Sequence, residues 1–246
     1  MTKYGKTDLI SVAGIVLLFI ALPIVFTMAR NALALDARPT QIMGMAFGLA
    51  IIAAVFAVVL FKKQGLASVG IHRQNLWPAL RLGLLFAPIP VIIGALLPGL
   101  ASNWQLHSPG LILFLLLHTT ILAFAEDVTF VGFVQTRLSG LLKSDFKAVL
   151  TGAAISSIAH IPFYLITGQV AAGFIFWFAM HCAFVAVYRK YGSLIPTTII
   201  RASVYWAMAG LWANYEQILT ARAMVWFSML ILMAAIGFWR WQFYRD

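Results

Sequence analysis

The chain has 246 residues, of which 63% are hydrophobic and only 10% charged, and its mean hydropathy is +0.95. A typical soluble domain is about 45–50% apolar and about 25% charged, so this composition excludes a water-soluble globule. The apolar residues stand in continuous runs of about twenty, which argues against the roughly ten-residue alternating segments of a transmembrane β-barrel. The sequence therefore predicts an all-α, polytopic membrane helical bundle in contact with the lipid bilayer.

About eight apolar runs are candidate transmembrane helices, given the roughly 1.5 Å that each helical residue adds to the span. The third, fourth and sixth runs are short for a full crossing. No internal repeat or long linker interrupts the chain, so residues 1–246 are predicted to form a single transmembrane domain. In chain order the runs are 9–28, 42–61, 82–97, 111–125, 148–166, 173–187, 192–209 and 223–238.

The basic residues indicate how the bundle is oriented. If the N-terminus is cytoplasmic, the inner segments carry thirteen Lys and Arg residues and the outer loops carry only Arg30, Arg38 and Arg222. Cytoplasmic loops of membrane proteins hold such an excess of Lys and Arg. The formal net charge of +10 is thus explained by topology. We expect both termini in the cytoplasm and no nucleic-acid partner.

A few ionisable side chains fall inside the predicted spans, where a charge costs about 2.5–3.5 kcal/mol and needs an explanation. Counting along the spans puts four of them in one layer near the middle of the bilayer: Glu126, His160, His181 and Arg201. Asp127 follows Glu126 at the inner end of the fourth span. His118 lies higher in that span, and packing inside the bundle explains it and His181 adequately when each is taken alone.

Residues four apart share a helix face, so two polar stripes should face protein. One contains Gly152, Ser156 and His160, and the other contains Thr197, Arg201 and Tyr205. Small residues and hydroxyls at such positions also serve as packing contacts between helices. Neighbouring carboxylates point about 100° apart on an α-helix, so one of the acid pair can face a polar cavity while the other pairs or caps.

Three segments in order resemble the CPBP family, which includes the type II CAAX prenyl endopeptidases and bacteriocin-processing and bacteriocin-immunity membrane proteins. They are Glu126-Asp127 with Gly132-Phe133 on the same helix, Ala159-His160 within a span, and residues 191–196 opening another. The resemblance covers roughly residues 111–210. It implies an intramembrane protease fold and, from the family's small members, a multi-pass protein of a bacterial plasma membrane.

The motif residues match the family only in part. The first motif, Glu-Glu-x-x-x-Arg, reads Glu126-Asp127 with Val131 in place of the arginine. The second, Phe-x-x-x-His, keeps its histidine as His160 but begins with Ser156. The third, His-x-x-x-Asn or Asp, becomes Arg201 with Tyr205.

The resemblance implies a catalytic set of Glu126, Asp127, His160 and Arg201. Glu126 would be the base that activates a water, and His160 the donor that stabilises developing charge. A metal such as zinc is disfavoured because a guanidinium stays protonated and repels a divalent cation. We therefore expect no cofactor. Arg201 would act either as a cationic oxyanion donor or as an ion-pair partner of Glu126 or Asp127 that locks the cavity.

Three functions follow from these alternatives. The first is a CPBP-type hydrolase, an endopeptidase that cuts a membrane-associated peptide or protein. The second is a catalytically impaired family member that binds a membrane peptide, for instance as a bacteriocin-immunity protein. The third is a transporter or proton relay, for which the sequence shows no pair of discontinuous spans in matching halves.

Overall fold

The computed structural model describes residues 5–34, 36–72, 76–96, 107–165, 168–207 and 231, which form helices and turns without strands. Four helices are long and apolar enough to cross a membrane: Thr7–Ala32, Arg38–Phe61, Pro109–Leu142 and Val170–Tyr191. The chain is thus a helical membrane protein. The predicted eighth span and both chain termini lie outside the described residues, apart from Ile231 within that span.

The helix bounds follow the apolar runs, with interruptions that the runs do not show. The first part of the chain forms α1 (Lys6–Ala32), α2 (Ala37–Phe61), a short 3₁₀ turn (Leu66–Val69), α3 (Leu76–Phe86) and α4 (Pro88–Leu96). The second part forms α5 (Pro109–Glu126), a π-helical segment (Asp127–Val134), α6 (Gln135–Leu142), α7 (Asp145–Ala159), α8 (Ile161–Leu165), α9 (Val170–Tyr191) and α10 (Ile195–Tyr205).

The fourth predicted span is much longer than its apolar core. Helices α5 and α6 and the π segment between them form one continuous helix of 34 residues. The prediction that Glu126 and Asp127 lie at the inner end of this span was wrong. They lie near its middle, about 25 Å from Pro109 at roughly 1.5 Å per residue. The span extends because the polar residues after Asp127 pack inside the protein, where Thr129, Gln135 and Arg137 are all buried.

Two predicted spans are broken by proline. The third is split into α3 and α4 at Ala87, directly before Pro88. The fifth is split into α7 and α8 at His160, two residues before Pro162. Proline lacks the N–H that an α-helix needs and disfavours helical geometry in the residue before it, so both helices end there. The prediction of a continuous helix through His160 was wrong.

The helices pack around one apolar core built from α1, α2, the π segment, α7 and α9. Helix α9 lies along α7, α5 packs on α2, and α10 packs against both α3 and α5. Gly192 ends α9 with the left-handed φ of +65° that glycine adopts readily, and Pro196 stands in the first turn of α10. This turn returns α10 to the middle of the long helix, opposite the acid pair.

Basic residues meet at one end of the bundle. Lys62 at the end of α2 binds Asp8 of α1 at 2.8 Å, and the Arg137 side chain of α6 donates to Gln64. On the other side of α6, Arg189 of α9 binds Asp145 of α7 at 2.5 Å. The contacts therefore gather the basic ends of five helices on one face, as expected if that face is the cytoplasmic one.

Candidate functional site: a buried acid pair bound by arginine

The acid pair lies where the long helix changes from α to π geometry. Glu126 is the last residue of α5 and Asp127 the first of the π segment. Glu126 is 9% exposed and Asp127 is fully buried. Wide turns of this kind are rare inside helices and are frequent at functional sites. Here the turn directs both neighbouring carboxylates towards α10.

Arg201 of α10 binds both carboxylates at once. Its Nη1 donates to Glu126 Oε2 at 2.9 Å, and its Nε donates to Asp127 Oδ1 at 2.8 Å. The planar guanidinium offers these donors in a fixed fork, so one side chain can bridge two acids. The helix geometry allows one carboxylate to face a cavity while the other pairs, but in the structure the fork is wide enough to bind both.

Further donors and rings complete the surroundings of this ion pair. Thr198 Oγ1 donates to Asp127 Oδ2 at 3.1 Å, and the Tyr205 hydroxyl donates to Glu126 Oε2. The Arg201 guanidinium lies over the ring of Phe184 at 4.4 Å. An aromatic face attracts a cation and replaces part of its lost hydration. Because these partners enclose Arg201 on several sides, its side chain is only 2% exposed.

His160 approaches the acid pair from the break between α7 and α8. Its backbone N–H bonds to the Ser157 carbonyl, which leaves the Ser156 carbonyl for its own ring: Nδ1 donates to that oxygen at 2.6 Å. A carbonyl can only accept, so this bond fixes the proton on Nδ1. The other nitrogen, Nε2, faces Glu126 Oε2 at 3.6 Å, just beyond hydrogen-bond distance. The helix break thus sets the orientation of the imidazole.

Trp177 of α9 connects the histidine with the arginine side of the site. Its ring stacks on His160 with centroids 3.7 Å apart and an angle of 14° between the planes. Its ring also meets Tyr205 edge to face at 5.9 Å, and the Arg201 guanidinium lies 5.4 Å from its centroid. One aromatic side chain therefore contacts three residues of the site.

The structure brings together the four residues of the predicted catalytic set, Glu126, Asp127, His160 and Arg201. It does not bring the remaining histidines to the acid pair. His181 binds Gln135 Oε1 at 3.2 Å through its Nε2, and His118 packs over Gly44 of α2.

Several site residues had no usable signal in the sequence. Aromatic residues make up 14% of the chain, so nothing distinguishes Trp177 or Phe184 from other apolar side chains of the spans. The Ser156 contribution comes from its backbone carbonyl, which side-chain patterns do not reveal. Thr198 lies beside the predicted stripe on α10. It could have been found as the hydroxyl three residues before Arg201, one turn away on the helix.

The donor set does not fit a metal ion. In the described ranges, no group of three or more His, Cys, Asp or Glu side chains is arranged to hold one. The guanidinium of Arg201 already bonds both carboxylates, and its permanent charge would repel a divalent cation placed between them. Catalytic zinc usually keeps three protein ligands, and here the two carboxylates that would have to be among them are already bound to Arg201.

Residues 108–207 match the family model for Rce1-like type II CAAX prenyl endopeptidases. Comparisons with curated proteins and with solved structures found no match. The matched segment runs from the start of α5 to the end of α10 and contains the acid pair, His160 and Arg201. The family match and the apolar helices together describe a multi-pass membrane protein with a CAAX-protease-like segment. Over these residues the chain is therefore similar to the Rce1-like type II CAAX prenyl endopeptidases, with degenerate motifs.

Proposed function

We propose that the chain is a non-hydrolytic member of the CPBP family that binds a membrane-associated peptide or protein within the bilayer. The observation that carries this proposal is the bridge from Arg201 to Glu126 and Asp127, at 2.9 and 2.8 Å. Arginine stands here where the family has its third-motif histidine. The bridge occupies one oxygen, Oε2, of the carboxylate that hydrolysis would need as a base.

The crowding around Glu126 supports this reading. A general base must receive a proton from a water within hydrogen-bond reach. Glu126 Oε2 already accepts from Arg201 and Tyr205, and His160 Nε2 lies 3.6 Å away from the same oxygen. A water placed directly between Oε2 and Nε2 would need roughly 2.8 Å to each, or about 5.6 Å in all. The gap is too short for such a water.

A binding role also agrees with the energetics of the ion pair. Charged side chains are costly in lipid, so they are stable only where they are paired and hydrogen-bonded inside the protein. The ion pair therefore favours one arrangement of the surrounding helices. The bridge joins α10 to the middle of the long helix, and both helices belong to the family segment. We infer that the segment retains the family's peptide-binding scaffold and has exchanged catalysis for a fixed shape. Immunity to a membrane-active bacteriocin is one role of this class.

A co-reconstitution experiment tests the binding role. Fluorescent single-span apolar peptides are placed with the full chain in liposomes, and association is followed by energy transfer. A peptide that associates with the wild type should remain intact and should associate equally with the Glu126→Gln variant. Loss of association in Glu126→Gln, or cleavage of the bound peptide, would contradict a non-hydrolytic binding role.

An endopeptidase is the second candidate, and the position of His160 favours it. The Glu126 side chain retains 12% exposure and faces His160 across the site, as a base and a donor would. In this alternative, Glu126 is the base, His160 donates from Nε2 with both ring nitrogens protonated, and Arg201 is a fixed donor to the oxyanion, with Asp127 holding Arg201 in place. Cleavage of membrane-anchored peptides that is lost in both Glu126→Ala and His160→Ala would establish it.

We further propose the setting in which either function operates. About eight spans, with both termini in the cytoplasm, fit the gathering of basic residues at one end of the bundle. The family resemblance suggests the plasma membrane of a bacterium. We propose that residues 1–246 act as a single transmembrane domain and that the site uses no metal or other cofactor.

A further inference from the structure

A groove opens between α1 and α2 at the basic end of the bundle. It has a volume of about 500 Å³. Its long wall is apolar, with Ile10 71% exposed and Phe61 90% exposed. Its polar end carries the hydroxyls of α1 and the ammonium group of Lys62. The lining residues are Thr7, Ile10, Ser11, Ala57, Val58, Phe61 and Lys62.

The place of the groove along the helices matches a lipid rather than a water-soluble ligand. It spans the first turns of α1 and the last turns of α2, where a transmembrane helix passes from hydrocarbon to headgroups. The exposed side chains Ile10 and Phe61 are apolar, and Lys62 and Lys63 directly follow the last turn of α2. Basic pockets between transmembrane helices on one face of a bilayer bind anionic lipid headgroups.

The charge at the mouth of the groove is positive. Lys62 donates to Asp8 at 2.8 Å and to the Thr7 carbonyl at 2.9 Å, so Asp8 is already neutralised. An ammonium has three donors, which leaves Lys62 one for a further acceptor. Lys63 is exposed beside it, and no carboxylate of the described residues lies within ion-pair distance of it. An anion at the mouth would therefore meet an excess of positive charge.

The backbone of Lys63 adds an independent observation. The Lys63 N–H bonds to the Leu60 carbonyl and the Gln64 N–H to the Val59 carbonyl, which is the Schellman ending of a helix. Lys63 takes the left-handed position of this motif with φ +54°, where glycine is the usual residue. The chain thus has a lysine in a conformation that disfavours it, directly after Lys62 of the groove.

We propose that this groove binds one anionic phospholipid. Its phosphate lies against the ammonium groups of Lys62 and Lys63, and one acyl chain lies along Ile10, Val58 and Phe61. The site is separate from the acid pair, so it does not depend on the function proposed above.

The test compares lipid retention in matched variants. The full chain is purified from nanodiscs that contain phosphatidylcholine and phosphatidylglycerol, and the retained lipids are counted by native mass spectrometry. Lys63→Gly removes the charge and supplies the residue that the helix ending prefers. Lys143→Gly makes the same change at φ +49°, at the end of α6 and outside the groove.

We expect the wild type and Lys143→Gly to retain one phosphatidylglycerol in preference to phosphatidylcholine. Lys63→Gly should lose about fivefold in this preference, the effect of roughly one lysine at an anionic surface. Ala57→Trp, which fills the groove without changing charge, should also release the lipid. Both glycine variants should be at least as stable as the wild type, so a folding defect cannot explain the loss.

Three results would overturn the proposal. One is equal retention of the two lipids by the wild type. Another is a preference for phosphatidylglycerol that survives both Lys63→Gly and Ala57→Trp. The third is displacement of the lipid by millimolar inorganic phosphate, which would show an anion site whose binding does not depend on the apolar groove.

Discussion

At the scale of single residues, the cost of charge in lipid made most of the site predictable. Glu126, His160 and Arg201 are expensive at mid-bilayer depth, and the simplest way to reduce that cost is for them to meet. They do meet. The exact pairing was not predictable, because it depends on the fork of Arg201 reaching both acids and on the ring of Trp177, for which the sequence has no signal.

Arg201 is predicted to be the residue whose loss costs most stability. Arg201→Met leaves two buried carboxylates without their partner, which should lower the free energy of unfolding by about 3–5 kcal/mol. The free energy of unfolding of Arg201→Lys should lie between those of the wild type and Arg201→Met, since an ammonium keeps the charge but lacks the bidentate geometry. Unfolding in detergent micelles measures both. Arg81→Met, at an exposed position of α3, is the control and should change stability by about 0.5 kcal/mol or less.

The same experiment contains its own check on the cause. Adding Glu126→Gln and Asp127→Asn to Arg201→Met removes the stranded charges and should recover much of the lost stability. If the triple variant is no more stable than Arg201→Met alone, the arginine acts through packing and the account of the ion pair is wrong.

At the scale of elements, apolar runs located the helices but not their interruptions. The first two spans and the ninth helix follow continuous apolar runs, and the structure places them there. The breaks at Ala87 and His160 depend on Pro88 and Pro162. Each proline removes a backbone hydrogen bond, but whether the helix then kinks or ends depends on packing. No residue of the sequence marks the π segment in this way. In the structure, the segment is recognised by the close approach of Gly132 to the Val69 carbonyl.

Gly132 is predicted to be required for the close packing of the 3₁₀ turn (Leu66–Val69) on the π segment. A Cβ added at Gly132 would lie 2.6 Å from the Val69 carbonyl oxygen, so Gly132→Ala should destabilise the protein by about 1–3 kcal/mol. Gly14 of α1 has nothing within 4 Å of an added Cβ. There the better helix propensity of alanine should stabilise by up to about 1 kcal/mol. Equal changes in the unfolding free energies of the two variants would contradict the close approach.

At the scale of the whole molecule, the membrane class follows from composition, while orientation depends on where the charges lie. We predict that the basic end faces the cytoplasm. Cys182 is the chain's one cysteine, so Cys182→Ala gives a clean background for labelling with a membrane-impermeant maleimide. Lys143→Cys should react only from the cytoplasmic side, and Asp36→Cys, between α1 and α2, only from the other. Labelling of both from one side would contradict the predicted topology.

Arg201 is proposed to prevent hydrolysis by binding both Glu126 and Asp127. The most direct test is peptide cleavage by the purified chain in liposomes. A panel of membrane-anchored peptides is incubated with wild type, Glu126→Ala and His160→Ala, and the products are identified by mass spectrometry. The account predicts that the wild type releases no more product than either variant. Cleavage by the wild type that disappears in both variants would contradict it and establish an active endopeptidase.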